Sequence, residues 1–203
     1  LENVIPDSLS TGELTACRHA NGRDWWVLVA VSNKPFIYSV LLSPDGVTVT
    51  DTIEVAYNLE DGLGQSVFSP NGKHFIRVNL VGGPNVADFL DVFDFDRSTG
   101  QLSNHRQTTI GDNAGSGGAA VSQSSQFLYV SHSNHVYQYD LWAEDVFATE
   151  DTVATYDGYL ALGFFSTRFY LAQLALIAIF YLHSPSATQT LLVLESPDET
   201  GKD

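Results

Sequence analysis

A chain of 203 residues with 24 acidic against 9 basic side chains carries a formal net charge of -15, and 44% of its residues are hydrophobic. That composition folds around a core, while so acidic a surface repels phosphate backbones and anionic headgroups and excludes a nucleic-acid-binding role. The lone cysteine, Cys17, rules out an internal disulfide framework and a multi-cysteine metal site, and reads as a small buried residue. The chain contains no methionine and opens Leu1-Glu2-Asn3, which reads as a piece of a longer or processed product.

In chain order, the first element is a polar turn, Ala20-Asn21-Gly22-Arg23-Asp24, running into the strand-like Trp25 to Val29. Phe36 to Leu42 follows, then the turn Ser43-Pro44-Asp45-Gly46 and the alternating Val47 to Ile53. A second round begins with Gln65 to Phe68, the turn Pro70-Asn71-Gly72-Lys73 and the strand His74 to Asn79. Phe89 to Phe95 then runs into Asp96-Arg97-Ser98-Thr99-Gly100. The third round reads Ala119 to Val121, Gln123-Ser124-Ser125-Gln126, Phe127 to Val130 and Val136 to Leu141. Phe169 to Leu182 is apolar over fourteen residues but for Gln173, short of the ~20 a bilayer span requires. Leu191 to Leu194 and the turn Ser196 to Gly201 close the series.

These elements repeat. Asn21 to Asn71 is 50 residues and Asn71 to Ser124 is 53, while Leu42, Phe95, Leu141 and Leu194 fall 53, 46 and 53 apart. Short strands joined by hairpin turns at a period near 50 match a four-stranded propeller blade. The fold class is therefore all-β: a β-propeller of four-stranded antiparallel blades, about three and a half of them. Residues 1–203 form one unit with repeats at 15–64, 65–118, 119–170 and 171–203, the last incomplete. The expected partner is then the remaining blades of a larger ring. One blade cannot bury both its faces alone, so Trp25, Trp26, Phe36, Phe75, Phe93, Phe127 and Tyr129 read as filling between blades. Gln65, Ser66, Ala119, Ala120 and Gln173 are the positions aimed at the central channel. In the fourth repeat Leu176-Ile177-Ala178-Ile179 stands where a polar turn is expected, and β-branched Ile177 suits a hairpin tip poorly. A reading-frame slip or a degenerate blade would each produce that.

Few constellations carry chemistry. Arg18, His19, Arg23 and Asp24 form the densest polar cluster, a candidate anion or sugar site in an acidic chain, or simply a surface turn. Gln65 and Gln173 are candidate ligand contacts from the channel side. Asp94, Asp96 and Ser98 have the opening spacing of a calcium loop, but glycine comes one place late and His105 stands where a bidentate Glu is needed. The competing reading is an Asp-capped turn. His132 and His135 sit at a hairpin tip with no assignable third ligand. No cofactor and no catalytic residue is expected.

Phe68 to Lys73 and Phe93 to Leu102 are similar to the repeat units of bacterial WD40-like propellers. Ser10 to Trp26 resembles large secreted proteins of gliding bacteria that leave by the type IX route. The resemblance runs from Thr11 to Gly201 and implies an extracellular or cell-surface propeller with no defined catalytic residues. The expected function is thus a non-catalytic binding module for protein or glycan. The alternative is a seven-bladed lactonase-type hydrolase, whose blades also carry Ser-Pro-Asn-Gly-Lys-like turns. Fold does not decide between them.

Overall fold

The computed structural model describes residues 4–59, 63–80, 87–110, 117–175, 179–184, 189 and 191–201. The first sheet is β1 (Leu9–Arg18), β2 (Trp25–Val31), β3 (Lys34–Ser43) and β4 (Gly46–Leu59); the second is β5 (Leu63–Phe68), β6 (His74–Leu80), β7 (Asp88–Asp96) and β8 (Gln101–Ile110). The third is β9 (Gly117–Val121), β10 (Phe127–His132), β11 (His135–Asp140) and β12 (Asp151–Thr155). A two-stranded hairpin, β13 (Leu160–Ala161) and β14 (Phe165–Ser166), precedes the last sheet, β15 (Ala172–Leu174), β16 (Phe180–His183) and β17 (Leu191–Leu194). Each sheet is an antiparallel meander in chain order, and the first strands of successive sheets lie side by side, β1 by β5, β5 by β9 and β9 by β15. Sheets that share an inner edge and fan outward are propeller blades.

In the first three sheets the turn between the first two strands is the same device: a backbone N–H donates to the carbonyl five residues on, from His19 to Asp24, Ser69 to His74 and Ser122 to Phe127, while in the last sheet Ala175 donates to Ile179, four residues on. Gly22, Gly72 and Ser125 occupy the same left-handed position, with φ of 75°, 67° and 66°. Glycine meets that demand without strain; Ser125 meets it at a cost, and its Oγ accepts the Asn71 N–H of the neighbouring turn at 2.9 Å. The stretch Phe169 to Leu182 forms β15 and β16, and no described helix is long and apolar enough to cross a membrane. Of the expected departure at Leu176–Ile179, Leu176, Ile177 and Ala178 lie outside the described residues, and Ile179 closes the turn.

Alternation along each strand sends one set of side chains forward to the next blade and the other back to the preceding one. Trp26 faces forward into a cluster with Phe75, Phe93 and Phe95; Ile76 faces forward onto Leu128 and Tyr139; Tyr129 meets Phe180 edge-on, ring centroids 4.9 Å apart. Each such burial contributes about 1.5–3 kcal/mol. Polar clips reinforce the first and third interfaces. Trp26 Nε1 donates to Arg97 O at 2.8 Å, and Tyr129 Oη donates to Pro197 O at 3.1 Å. Gly100 (φ 78°) lets the turn of the second blade close over Trp26, whose ring would lie 2.6 Å from an added Cβ.

Two expectations need correcting. Trp25 fills no described interface: it is opposite in direction to Trp26 and remains 39% exposed on the back of the first blade, while Phe36 is only half-buried. The cross-strand register also revises the third-strand repeat. Leu42 lies opposite Trp25, but the residues opposite the equivalent Phe75 and Leu128 are Phe93 and Tyr139, not Phe95 and Leu141. The slip is two residues, so every side chain keeps its face.

Candidate functional site

The inner strands leave N–H and C=O groups facing the propeller axis with no fifth strand to pair them. Gln65 on β5 supplies partners for several. Its Nε2 donates to Ala172 O at 2.9 Å, and its Oε1 accepts from the N–H groups of Ala119 at 3.1 Å and Ala172 at 3.4 Å. One amide thereby joins the inner strands of three blades. The approach is close enough to require glycine beside it: a Cβ on Gly118 would lie 2.3 Å from Gln65 Oε1 and 2.9 Å from Leu171 Cα.

Against this staple lies a cavity of about 580 Å³, walled by the inner strands and extending to the forward face of the fourth blade. Gln65, Ser66, Ala119, Ala120 and Gln173, the five positions expected to face the channel, all line it. Thr15, Tyr181 and His183 join them, residues that the sequence pattern did not single out. Ser66 is buried, and its Oγ has no hydrogen-bond partner among the described residues. Among the described lining residues His183 carries the one imidazole, and none is a lysine or an arginine.

The charged groups concentrate elsewhere, between the blades. Arg77 on β6 is fully buried; its Nε lies 2.5 Å from Glu13 Oε2 on β1 and its Nη1 lies 3.1 Å from Asp91 Oδ2 on β7. Asp91 Oδ1 in turn receives Gln107 Nε2 and sits 3.0 Å from His105 Nε2. Burial pushes the Glu13 carboxyl up to about 7, against the pull of Arg77. One blade further, His132 Nε2 lies 2.9 Å from Asp88 Oδ2, both residues fully buried. One signal of this network stood in the sequence. Arg77 interrupts the apolar strand Phe75-Ile76-Arg77-Val78 at a position whose alternation buries it beside Phe75.

The remaining predicted residues do not converge. Arg23 Nε pairs with Asp24 Oδ1 at 2.8 Å, and that hydrogen bond, with one from Asn21, holds the Asp24 carboxyl below its ordinary range. His19 stacks on Trp26, centroids 5.2 Å apart, and accepts the Asn21 N–H through Nδ1. The Arg18 guanidinium lies over Trp25 at 5.3 Å. Asp96 Oδ1 accepts from the Ser98 hydroxyl and N–H, capping its own turn, and the Ser98 hydroxyl is the main cause of its lowered carboxyl pKa. Asp94 faces Arg106 and Asn104 instead. Among the described residues no group of three or more His, Cys, Asp or Glu side chains is placed to hold a metal ion.

Blades fanning from shared inner strands define a partial β-propeller. No protein-family model matches the sequence, and no curated protein does. Solved structures do. A candidate 6-phosphogluconolactonase from Bacteroides uniformis superposes with a TM-score of 0.58 at 16% identity, over 88% of this chain and 51% of that one. A protein from Lactobacillus plantarum gives 0.58 at 14% identity, over 91% and 50%. The PQQ domain of pyranose dehydrogenase from Coprinopsis cinerea gives 0.57 at 12% identity, over 88% and 44%. The likeness is one of fold, and this chain spans about half the length of each of the three.

Proposed function

We propose that this chain supplies three four-stranded blades and a three-stranded fourth of a lactonase-type propeller whose cavity at the inner strands takes a small neutral cyclic ester. The observation that carries the reading is the cavity of about 580 Å³ with the buried, unpartnered Ser66 Oγ in its wall. A cavity of that size suits a single sugar-sized ring. Charge selects within the class: with no lysine or arginine among the described lining residues and a net charge of -15, a neutral lactone is favoured over a phosphorylated one. In the reaction, His183 takes a proton from a water whose oxygen bonds to the ester carbonyl carbon. The ring C–O bond breaks, and the proton passes to the ring oxygen, leaving a hydroxy acid. Ser66 and Tyr181 donate to the carbonyl oxygen or to ring hydroxyls. The propeller belongs at the cell surface, in keeping with the sequence resemblance.

One observation favours a second reading, the non-catalytic binding module. The acids, the arginine and the histidines of the buried network face other blades and not the cavity, which leaves His183 as the one imidazole among its described lining residues. Hydrolysis of a neutral sugar δ-lactone, followed by acid release, separates the two. The lactonase reading expects turnover above buffer that falls about 100-fold or more in His183→Gln. Lactone binding without turnover in either protein supports the binding module and sinks the enzyme.

A further inference from the structure

With 24 acidic side chains against 9 basic ones, a carboxylate is the partner closest to hand for any cation of this chain. Arg23, Lys34, Arg77 and Arg106 each lie against one. Lys73 and Arg97 form no ion pair among the described residues, and both line one open cleft of about 630 Å³ between the first and second blades. Three turns meet at this cleft, and backbone bonds fix them to each other. The Ala20 N–H of the β1–β2 turn donates to Arg97 O of the β7–β8 turn at 2.9 Å, and the Phe95 N–H donates to Lys73 O of the β5–β6 turn at 2.7 Å. Arg97 is seated within that frame. Its stem lies over Gly72, where an added Cβ would come 2.4 Å from Arg97 Cδ and 2.7 Å from Cys17 Sγ. Its Nε donates to Arg18 O at 2.9 Å and its Nη1 to Asn71 O at 3.1 Å. Both acceptors are neutral carbonyls, so the plane of the guanidinium is fixed while its charge stays uncompensated and Nη2 is left to donate. Asp96 and Ser98 complete the polar lining, with Asp96 Oδ1 held by the Ser98 hydroxyl and N–H.

We propose that this cleft binds a hydroxylated monocarboxylate, a sugar acid of the uronate class, with its carboxylate on Arg97 and Lys73 and its hydroxyls donating to Asp96 and Ser98. Charge sets the class. Two cations against one carboxylate leave a single positive charge in the cleft, which a monoanion balances and a neutral sugar leaves unused. A phosphate monoester would bring about two negative charges beside Asp96, and a polyanion would meet the acidic surface beyond the cleft. Geometry agrees with charge. The flat fork of a guanidinium matches a carboxylate, and a fork already held by two carbonyls gives up little freedom on binding. The volume suits one sugar ring. The cleft shares no lining residue with the cavity at the inner strands, so the inference stands apart from the reading of that cavity as a lactone site.

Titration of the isotope-labelled full chain with D-glucuronate tests it, read by amide correlation NMR at a fixed ionic strength of about 0.15 M. The Arg97 Nε–H and the backbone N–H signals of Gly72, Lys73 and Ser98 should shift and saturate with a Kd of about 1 mM. D-glucose should leave them in place, and acetate and inorganic phosphate should each bind about 10-fold or more weakly. Arg97→Gln and Lys73→Gln should each weaken glucuronate about 10-fold or more, the worth of one charge-assisted hydrogen bond. Arg97→Lys keeps the charge but not the fork, and should weaken it too. Lys73 is exposed, so its variant keeps the fold even where the Arg97 variants lose the bonds to Arg18 O and Asn71 O, and signal dispersion checks folding in each. Absence of saturable shifts with glucuronate overturns the proposal, as does a folded Lys73→Gln that binds like the wild type. Acetate or phosphate binding as tightly as glucuronate overturns the sugar-acid assignment. No lactone enters the experiment, so its failure and that of the lactonase reading are told apart.

Discussion

Replacing Gln65 by leucine removes the amide staple while keeping most of its volume. Three hydrogen bonds are lost, to Ala172 O, Ala119 N–H and Ala172 N–H, the last the longest at 3.4 Å. A net hydrogen bond is worth roughly 0.5–1.5 kcal/mol, and a buried group left without a partner costs roughly 1–3 kcal/mol. Water from the adjoining cavity can reach these groups, so the smaller figures apply, and the sum is about 2 kcal/mol. Urea denaturation followed by tryptophan fluorescence reads it as a lowered midpoint with an unchanged slope. Gln65→Glu should cost more, because a carboxylate faces the Ala172 carbonyl. A Gln65→Leu midpoint within error of the wild type would refute the claim that this side chain ties three blades together.

Three further outcomes follow from the geometry. Glu13 has a folded pKa raised from 4.5 to about 7, so the stability it contributes is fully present below pH 4.5 and is lost as pH rises through 7. Its linkage is worth roughly 3 kcal/mol or less, and Glu13→Gln should flatten the stability profile over that window; an unaltered profile counts against burial as the cause. Gly118→Ala should destabilise by about 1–3 kcal/mol through contact with Leu171 and Ala172 backbone, seen as a lower melting temperature, and a neutral result would contradict the close approach of β9 and β15. Trp26→Phe should lose about 1–2 kcal/mol with the bond to Arg97 O, and chemical denaturation showing no loss would remove that clip from the first interface.

Much of the fold was legible because local chemistry and period agree. The Asn21-Gly22 and Asn71-Gly72 pairs announce a left-handed turn position, and the structure puts both there, with Ser125 as the third. The five channel-facing positions were legible for a similar reason, since inner strands precede each such turn. Direction was not. Strand alternation divides Trp25 from Trp26 but does not say which face has a neighbour, and Trp25 was expected to be filling. The third-strand repeat slipped by two because Phe93 and Phe95, like Tyr139 and Leu141, share a face and a character. The buried chain from Glu13 through Arg77 to Asp91 joins residues 64 and 14 positions apart, and no local pattern links them. Tyr181, inside the apolar run Phe169 to Leu182, and His183, just after it, escaped notice because the strands there are short and no polar turn separates them in the sequence.

The order of the blades is the central claim, and one contact tests it directly. Tyr129 and Phe180 lie in different blades, with ring centroids 4.9 Å apart and Tyr129 Oη bonded to Pro197 O. A NOESY spectrum of the 22.2 kDa chain with labelled tyrosine and phenylalanine should show a cross-peak between these two rings that disappears in Phe180→Leu. Both rings assigned in a folded protein, with no cross-peak between them, would contradict the packing of the third blade on the fourth and the propeller built on it.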